Sequence, residues 1–228
     1  MKIVAINGSP KGKVSNTNVM VSAFLKGAQE AGAETTNIFL AEKEIQHCRG
    51  CHTCWSKGPG QCVIHDDMLK VLSFLGGADI IVFATPVYFE NISGMLKVFM
   101  DRMTMIGSPH TQKEAKEKNQ DIKPTETRTP KLMMISNCGL PDRSEFQVPS
   151  LWIKRVALKM HTPLIGEIYA TQGKLLTMPT EEIQPHVSNY LHLLEKAGKE
   201  IVTTMKLSPT TENLLEKSFI SDECINNI

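Results

Sequence analysis

This sequence has no apolar run near the length of a membrane span, and no charged stretch leads into a short apolar core at its start. A membrane-spanning or exported protein is not expected, and a cytoplasmic location is. Charge of one sign is missing as well: 25 Lys and Arg stand against 24 Asp and Glu, interleaved, for a net charge of +1. Nothing in that balance points to nucleic acid or to an anionic lipid surface. Internal repeats and low-complexity tracts are absent, as are the Walker loop G-x-x-x-x-G-K-[ST] and the dinucleotide fingerprint G-x-G-x-x-G. What remains is an ordinary globular composition, 228 residues with 41% hydrophobic and 21% charged. That is one domain, or two, with enough apolar side chains for a sizeable core.

The rest of the chain is organised around residues 2–18, KIVAINGSPKGKVSNTN. Ile3 to Ile6 form a continuous apolar run, as expected of a parallel strand covered on both faces. After it, Gly8 permits a tight turn and Pro10 fixes φ. Ser9, Ser15, Asn16 and Thr17 then bring hydroxyl and amide groups to the place where a helix begins. The unpaired N–H groups and the dipole of that helix make an anion site without an arginine, suited to a terminal phosphomonoester. The alternative is a capped strand-to-helix turn with no ligand.

Strand and helix signals alternate from there. A first helix is expected over 18–31, with Met20, Phe24, Ala28 and Ala31 on one face, and a second strand over 35–40. Asp66 or Asp67 can cap a helix carrying Met68, Val71, Leu72 and Leu75. Ile80 to Ala84 is the clearest buried strand, expected to stop at Thr85-Pro86. A helix over 91–103 follows. Residues 107–130 turn polar and read as an excursion from the core. Lys131 to Ser136 restores a strand, Val148 to Met160 marks a helix, Leu164 to Ala170 a fifth strand, and Ile183 to Ile201 a long last helix. The expected organisation is one domain over 1–207, including a cysteine-rich loop at 47–63, and a tail over 208–228.

Five strands separated by helices imply an α/β fold, a doubly wound parallel sheet with helices on both faces. Ligands of such sheets sit beyond the carboxyl ends of the strands. Three loops are expected to converge there: Ser9 to Thr17, Pro86 to Asn91, and Asn137 to Asp142.

Six cysteines are present, four of them between Cys48 and Cys62. In a reducing compartment this density reads as metal ligation rather than a disulfide framework. Cys48, Cys51, Cys54 and Cys62 give C-x2-C-x2-C-x7-C. Three thiolates two residues apart can wrap one face of an iron-sulfur cubane while a fourth arrives from a short loop. Zinc would use the same thiolates, although structural zinc usually pairs two more widely separated knuckles. Free or redox-active thiols are the third reading. His47, His52 and His65 read as solvated loop residues, and Trp55 as a shield for a cofactor or as ordinary packing. Cys138 reads as a packed thiol or a redox-active one, and Cys224 carries no assignment.

G-S-P-K-x-x-x-x-N-T after the first strand, with T-P-V-Y-F-x-N-x-S-G-x-L-K-x-F-x-D-R from Thr85 to Arg102, resembles the NAD(P)H-dependent FMN reductase family of flavodoxin-like proteins. The resemblance covers about residues 1 to 105 well and the rest loosely. It implies strand order 2-1-3-4-5 and bound FMN. Ser9, Lys11, Ser15, Asn16 and Thr17 would contact phosphate and ribityl; Pro86, Val87, Tyr88 and Phe89, with Asn137, Cys138 and Gly139, would border the ring. The cysteine motif resembles the iron-sulfur flavoprotein branch, which implies a [4Fe-4S] cluster on Cys48, Cys51, Cys54 and Cys62. Electrons would pass from NAD(P)H or reduced ferredoxin through FMN to a quinone, a flavin or oxygen. No catalytic residue is assigned, because the cofactor carries the chemistry. A non-enzymatic FMN and iron-sulfur carrier, and a zinc-stabilised binding protein without flavin, are the competing readings. A homodimer or dimer of dimers is also implied, with the segment from Met95 to Ile106 as an adaptable apolar surface; plain core packing explains the same methionines equally well.

Overall fold

The structure is a computed structural model and describes residues 1–56, 60–106, 129–178 and 180–217. Strand β1 (Lys2–Asn7) lies inside the sheet between β2 (Glu34–Phe39) and β3 (Ile80–Tyr88). Beyond β3 come β5 (Lys131–Asn137) and β6 (Leu164–Ala170), all parallel. The sheet order is β2-β1-β3-β5-β6, with the short β4 (Asn91–Ile92) folded back antiparallel on β3. The five parallel strands follow the expected order. β4 is the sixth strand that the sequence reading lacked.

Helix α1 (Asn16–Glu30) and helix α6 (Gln184–Thr204) cover one face. Phe24 and Leu194 are fully buried there against Ile3, Ala5 and Val82. The two helices touch backbone to backbone: a Cβ on Gly27 would lie 1.8 Å from the Glu195 carbonyl oxygen, and one on Gly198 would lie 2.1 Å from that of Phe24. Only glycine fits at this crossing. The other face carries α3 (Met68–Leu75), α4 (Gly94–Arg102) and α5 (Gln147–Lys159), whose Met68, Phe99 and Ile153 bury against Val4, Phe83 and Met134. A one-turn helix α2 (Thr53–Ser56) interrupts the cysteine segment, and α7 (Pro209–Glu216) packs on β6 and α6 through Thr211 and Leu215. Among the described residues no helix is long and apolar enough to cross a membrane.

Several boundaries differ from the sequence reading for local reasons. α1 starts at Asn16 because Ser15 caps it, accepting the Asn18 N–H at 3.0 Å. β3 does not stop at Thr85-Pro86. β1 ends at Asn7, opposite Ala84, so Pro86 has no strand on that side, and a residue without an N–H is tolerated. The helix expected from 91 starts at Gly94, because Asn91 and Ile92 pair with Tyr88 and Val87 and Ser93 is the cap. Between β3 and β4, Phe89 and Glu90 have φ of 47° and 68°. Two consecutive left-handed residues are what a two-residue hairpin requires, and in non-glycine residues they cost roughly 1–2 kcal/mol each. The excursion expected over 107–130 lies outside the described residues, apart from 129 and 130.

Candidate functional site

At the carboxyl edge of the sheet, the loops after β1, β3 and β5 are tied to one another. The Gly8 N–H donates to the Ala84 carbonyl at 2.7 Å, and the Ser93 hydroxyl donates to the Gly8 carbonyl at 2.6 Å. The Ser93 N–H in turn donates to Thr85 Oγ1 at 2.9 Å. Ser136 Oγ donates to the Thr85 carbonyl at 2.7 Å, and Asn137 Nδ2 to Thr17 Oγ1 at 2.8 Å. All of these groups are buried. Here the expected convergence is a set of named hydrogen bonds.

Within the first loop, Ser9 is buried and its N–H donates to Asn7 Oδ1 at 3.1 Å. Lys11 is exposed. The Ser15 hydroxyl is occupied on both sides, donating to the Gly12 carbonyl at 2.7 Å and accepting from Asn18 N. The first N–H groups of α1, those of Asn16 and Thr17, have no partner within the helix. Asn16 is half-buried, and its Oδ1 accepts from Thr177 Oγ1 at 2.9 Å. Thr17 is buried.

In the second loop Pro86 is buried and Val87 half-buried, while Tyr88 is 45% exposed and Phe89 fully so. The third loop places Asn137 and Cys138 in the interior and Gly139 at the surface. Burial pushes the Cys138 thiol up to about 11, and the thiol donates to the Leu140 carbonyl at 3.2 Å. A thiol in that state is protonated at neutral pH.

A fourth loop, after β6, was not anticipated. The Gly173 N–H donates to the Cys138 carbonyl at 2.7 Å, and a Cβ on Gly173 would meet Asn137 at 2.8 Å. Beside it Gln172, at φ 55°, is buried with neither amide atom hydrogen-bonded, and Asn7 Nδ2 is likewise buried and unpartnered. Unpaired buried polar groups are rare and costly. Neither residue carried a periodicity or spacing signal; the position of Asn7 at the end of a buried strand was the one available hint. A helix start with free N–H groups beside an open aromatic hairpin fits an anionic group joined to a flat ring.

The cysteine segment lies at the C-terminal end of α4. Cys48 and Cys51 are exposed, Cys54 and Cys62 partly covered. Burial, then the charges of Cys62, Cys51 and Cys48, raise the Cys54 pKa. A hydrogen bond from Thr53 Oγ1 at 3.3 Å lowers that of Cys51. Among the described residues, however, no three Cys, His, Asp or Glu side chains stand where one metal ion could be held. The donors suit a soft metal in kind; their present positions do not complete a coordination site. His47, His52 and His65 are exposed, and Trp55 donates Nε1 to the Thr104 carbonyl at 2.8 Å.

The sequence profile of the NADPH-dependent FMN reductase family matches residues 1–119. The chain belongs to that family. An iron-sulfur flavoprotein of Archaeoglobus fulgidus is 38% identical over 113 residues, 50% of this chain and 50% of that protein. One from Methanocaldococcus jannaschii is 42% identical over 102 residues, 45% of this chain and 51% of that protein. The matched region thus spans about half the length of these relatives. Among solved structures, the NAD(P)H:quinone oxidoreductase from Methanothermobacter marburgensis superposes with TM-score 0.61 at 13% identity, covering 88% of this chain and 96% of that one. An FMN-dependent NADH-azoreductase from Bacillus anthracis, in complex with FMN, gives 0.59 at 16% identity, covering 89% and 100%. These likenesses place the family member in the flavodoxin-like fold class.

Proposed function

We propose that this chain is an FMN-dependent oxidoreductase that takes electrons from NAD(P)H, or from reduced ferredoxin, and delivers them to a small acceptor such as a quinone, a flavin or oxygen. The observation that carries the reading is the binding together of the turns after β1, β3 and β5, in a member of the FMN reductase family. Bound FMN supplies both hydride and single-electron chemistry. The N–H groups of Asn16 and Thr17, at the positive end of α1, would hold the flavin phosphate, with Ser9, Ser15 and Lys11 lining its loop. Pro86, Val87, Tyr88 and Phe89, with Asn137, Cys138 and Gly139, would border the ring. No side chain here is assigned a proton transfer.

The same proposal gives Cys48, Cys51, Cys54 and Cys62 a [4Fe-4S] cluster. Support comes from the relatives named iron-sulfur flavoprotein and from the gathering of four thiols on one short segment. A cluster would add one-electron chemistry, and the segment would then have to draw Cys48 and Cys51 inward. A homodimer in the cytoplasm completes the proposal. Most of the methionine-rich segment offered for that contact lies in or against the core, with Met105 buried and Ile106 exposed.

Anaerobic purification followed by a visible spectrum, iron and acid-labile sulfide analysis, and NADH and NADPH oxidation tests these statements separately. A yellow protein that oxidises nicotinamide supports the enzyme, and no turnover with any acceptor contradicts it. A yellow protein reduced only by ferredoxin would favour the carrier reading. Stoichiometric zinc in a colourless one would favour the binding protein.

A further inference from the structure

Arg102, the last residue of α4, is 2% exposed, and its guanidinium grips both ends of the cysteine segment. Nη1 donates to the Gln46 carbonyl at 2.9 Å and to Asp66 Oδ2, and Nη2 donates to Asp66 Oδ1 at 3.2 Å. Asp66 also accepts the Gln46 N–H at 2.9 Å and the Met68 N–H at 3.0 Å. Gln46 lies just before Cys48 and Asp66 just after Cys62. A second rung closes beside the first, where Glu44 N donates to Asp67 Oδ2 and Asp67 N to the Glu44 carbonyl, both at 3.0 Å. The Cys62 side chain lies against the same guanidinium, and the Trp55 indole is bonded just past the end of α4.

Burying a charge costs several kcal/mol unless its partner and hydrogen bonds are complete, and a buried ion pair is often no more stable than an apolar substitute. Stability alone therefore does not account for this arrangement; geometry does. The guanidinium fork meets the two carboxylate oxygens and a carbonyl together, which a lysine point charge cannot do. Closing the intervening loop carries an entropy cost that the two rungs offset. At the other end of α4, Ser93 caps the helix and holds the Gly8 carbonyl. One helix thus runs from the sheet-edge site to the neck of the cysteine segment.

We infer that Arg102, with Asp66, is a positioning residue that holds the cysteine segment closed against α4 and so fixes where its four thiols stand relative to the sheet-edge site. The assignment concerns closure of the segment and holds with or without iron. The use of those thiols as cluster ligands rests on the function proposed above.

The test is residue-resolved alkylation of the chelator-treated, reduced full chain with iodoacetamide, comparing Arg102→Lys and Asp66→Asn with the unmodified protein. Local opening exposes thiols without global unfolding. Cys54 and Cys62 should react about tenfold faster or more in both variants, while Cys138, buried in the third loop, stays within about twofold. Unchanged rates at Cys54 and Cys62 would overturn the inference, and so would an equal acceleration at Cys138. Iron and sulfide content of the reconstituted unmodified protein reports on the cluster separately: their absence removes the cluster and leaves the alkylation result to decide closure.

Discussion

Asn137 and Thr17 stand 120 positions apart in the chain, yet the amide of one donates to the hydroxyl of the other at 2.8 Å in the interior. The bond joins the last residue of β5 to the first turn of α1. Gly173 is packed on the same Asn137 side chain, so three loops depend on its shape.

Replacing Asn137 by alanine leaves the Thr17 hydroxyl buried without its donor and opens a void beside Gly173. The expected loss is about 1–3 kcal/mol, which a urea unfolding curve measures directly. FMN affinity should fall along with it. A variant as stable as the parent, binding FMN equally well, would show that the bond does not organise the site.

Ser93 closes the junction between the first and second loops while capping α4. Ser93→Ala should lower stability by about 1–2 kcal/mol, the usual effect of losing a cap. Gly8→Ala attacks the same junction by bulk, since its Cβ would lie 2.7 Å from that of Leu96. Both should weaken FMN binding, measured by quenching of flavin fluorescence.

Cys138 gives a pH signature. With its thiol raised to about 11 by burial, the folded state binds a proton that the unfolded chain releases near pH 8.5 to 9. The contribution to stability is present below that range and is lost as pH rises toward 11. Alkylation of Cys138 should stay slow at pH 8 and increase only at markedly alkaline pH. Half-maximal reactivity near pH 8.5 would mean an open, unperturbed thiol.

Much of this architecture was legible in the residues. The run Ile3 to Ile6 announces a strand buried on both faces because central parallel strands have no polar face, and all four side chains are fully buried. The hairpin at Phe89-Glu90 was not legible, because such a turn normally advertises itself with Asn-Gly or Asp-Gly. Ser93 was hidden inside an apparent helix start. Arg102 and Asp66 were visible as a helix residue and a possible cap, but their pairing is a tertiary fact that no local periodicity encodes. The four cysteines are legible as one short segment; whether they coordinate is decided by distances that spacing does not supply.

The central claim is that the turns after β1, β3 and β5 form one pocket that grips a phosphate at the start of α1. Titrating flavin-free protein with FMN and with riboflavin, side by side, tests it most directly. The account predicts stoichiometric FMN binding at least about 100-fold tighter than riboflavin, roughly 2.7 kcal/mol, the difference lying in the phosphate. Equal affinity for the two, or binding of neither, would contradict it.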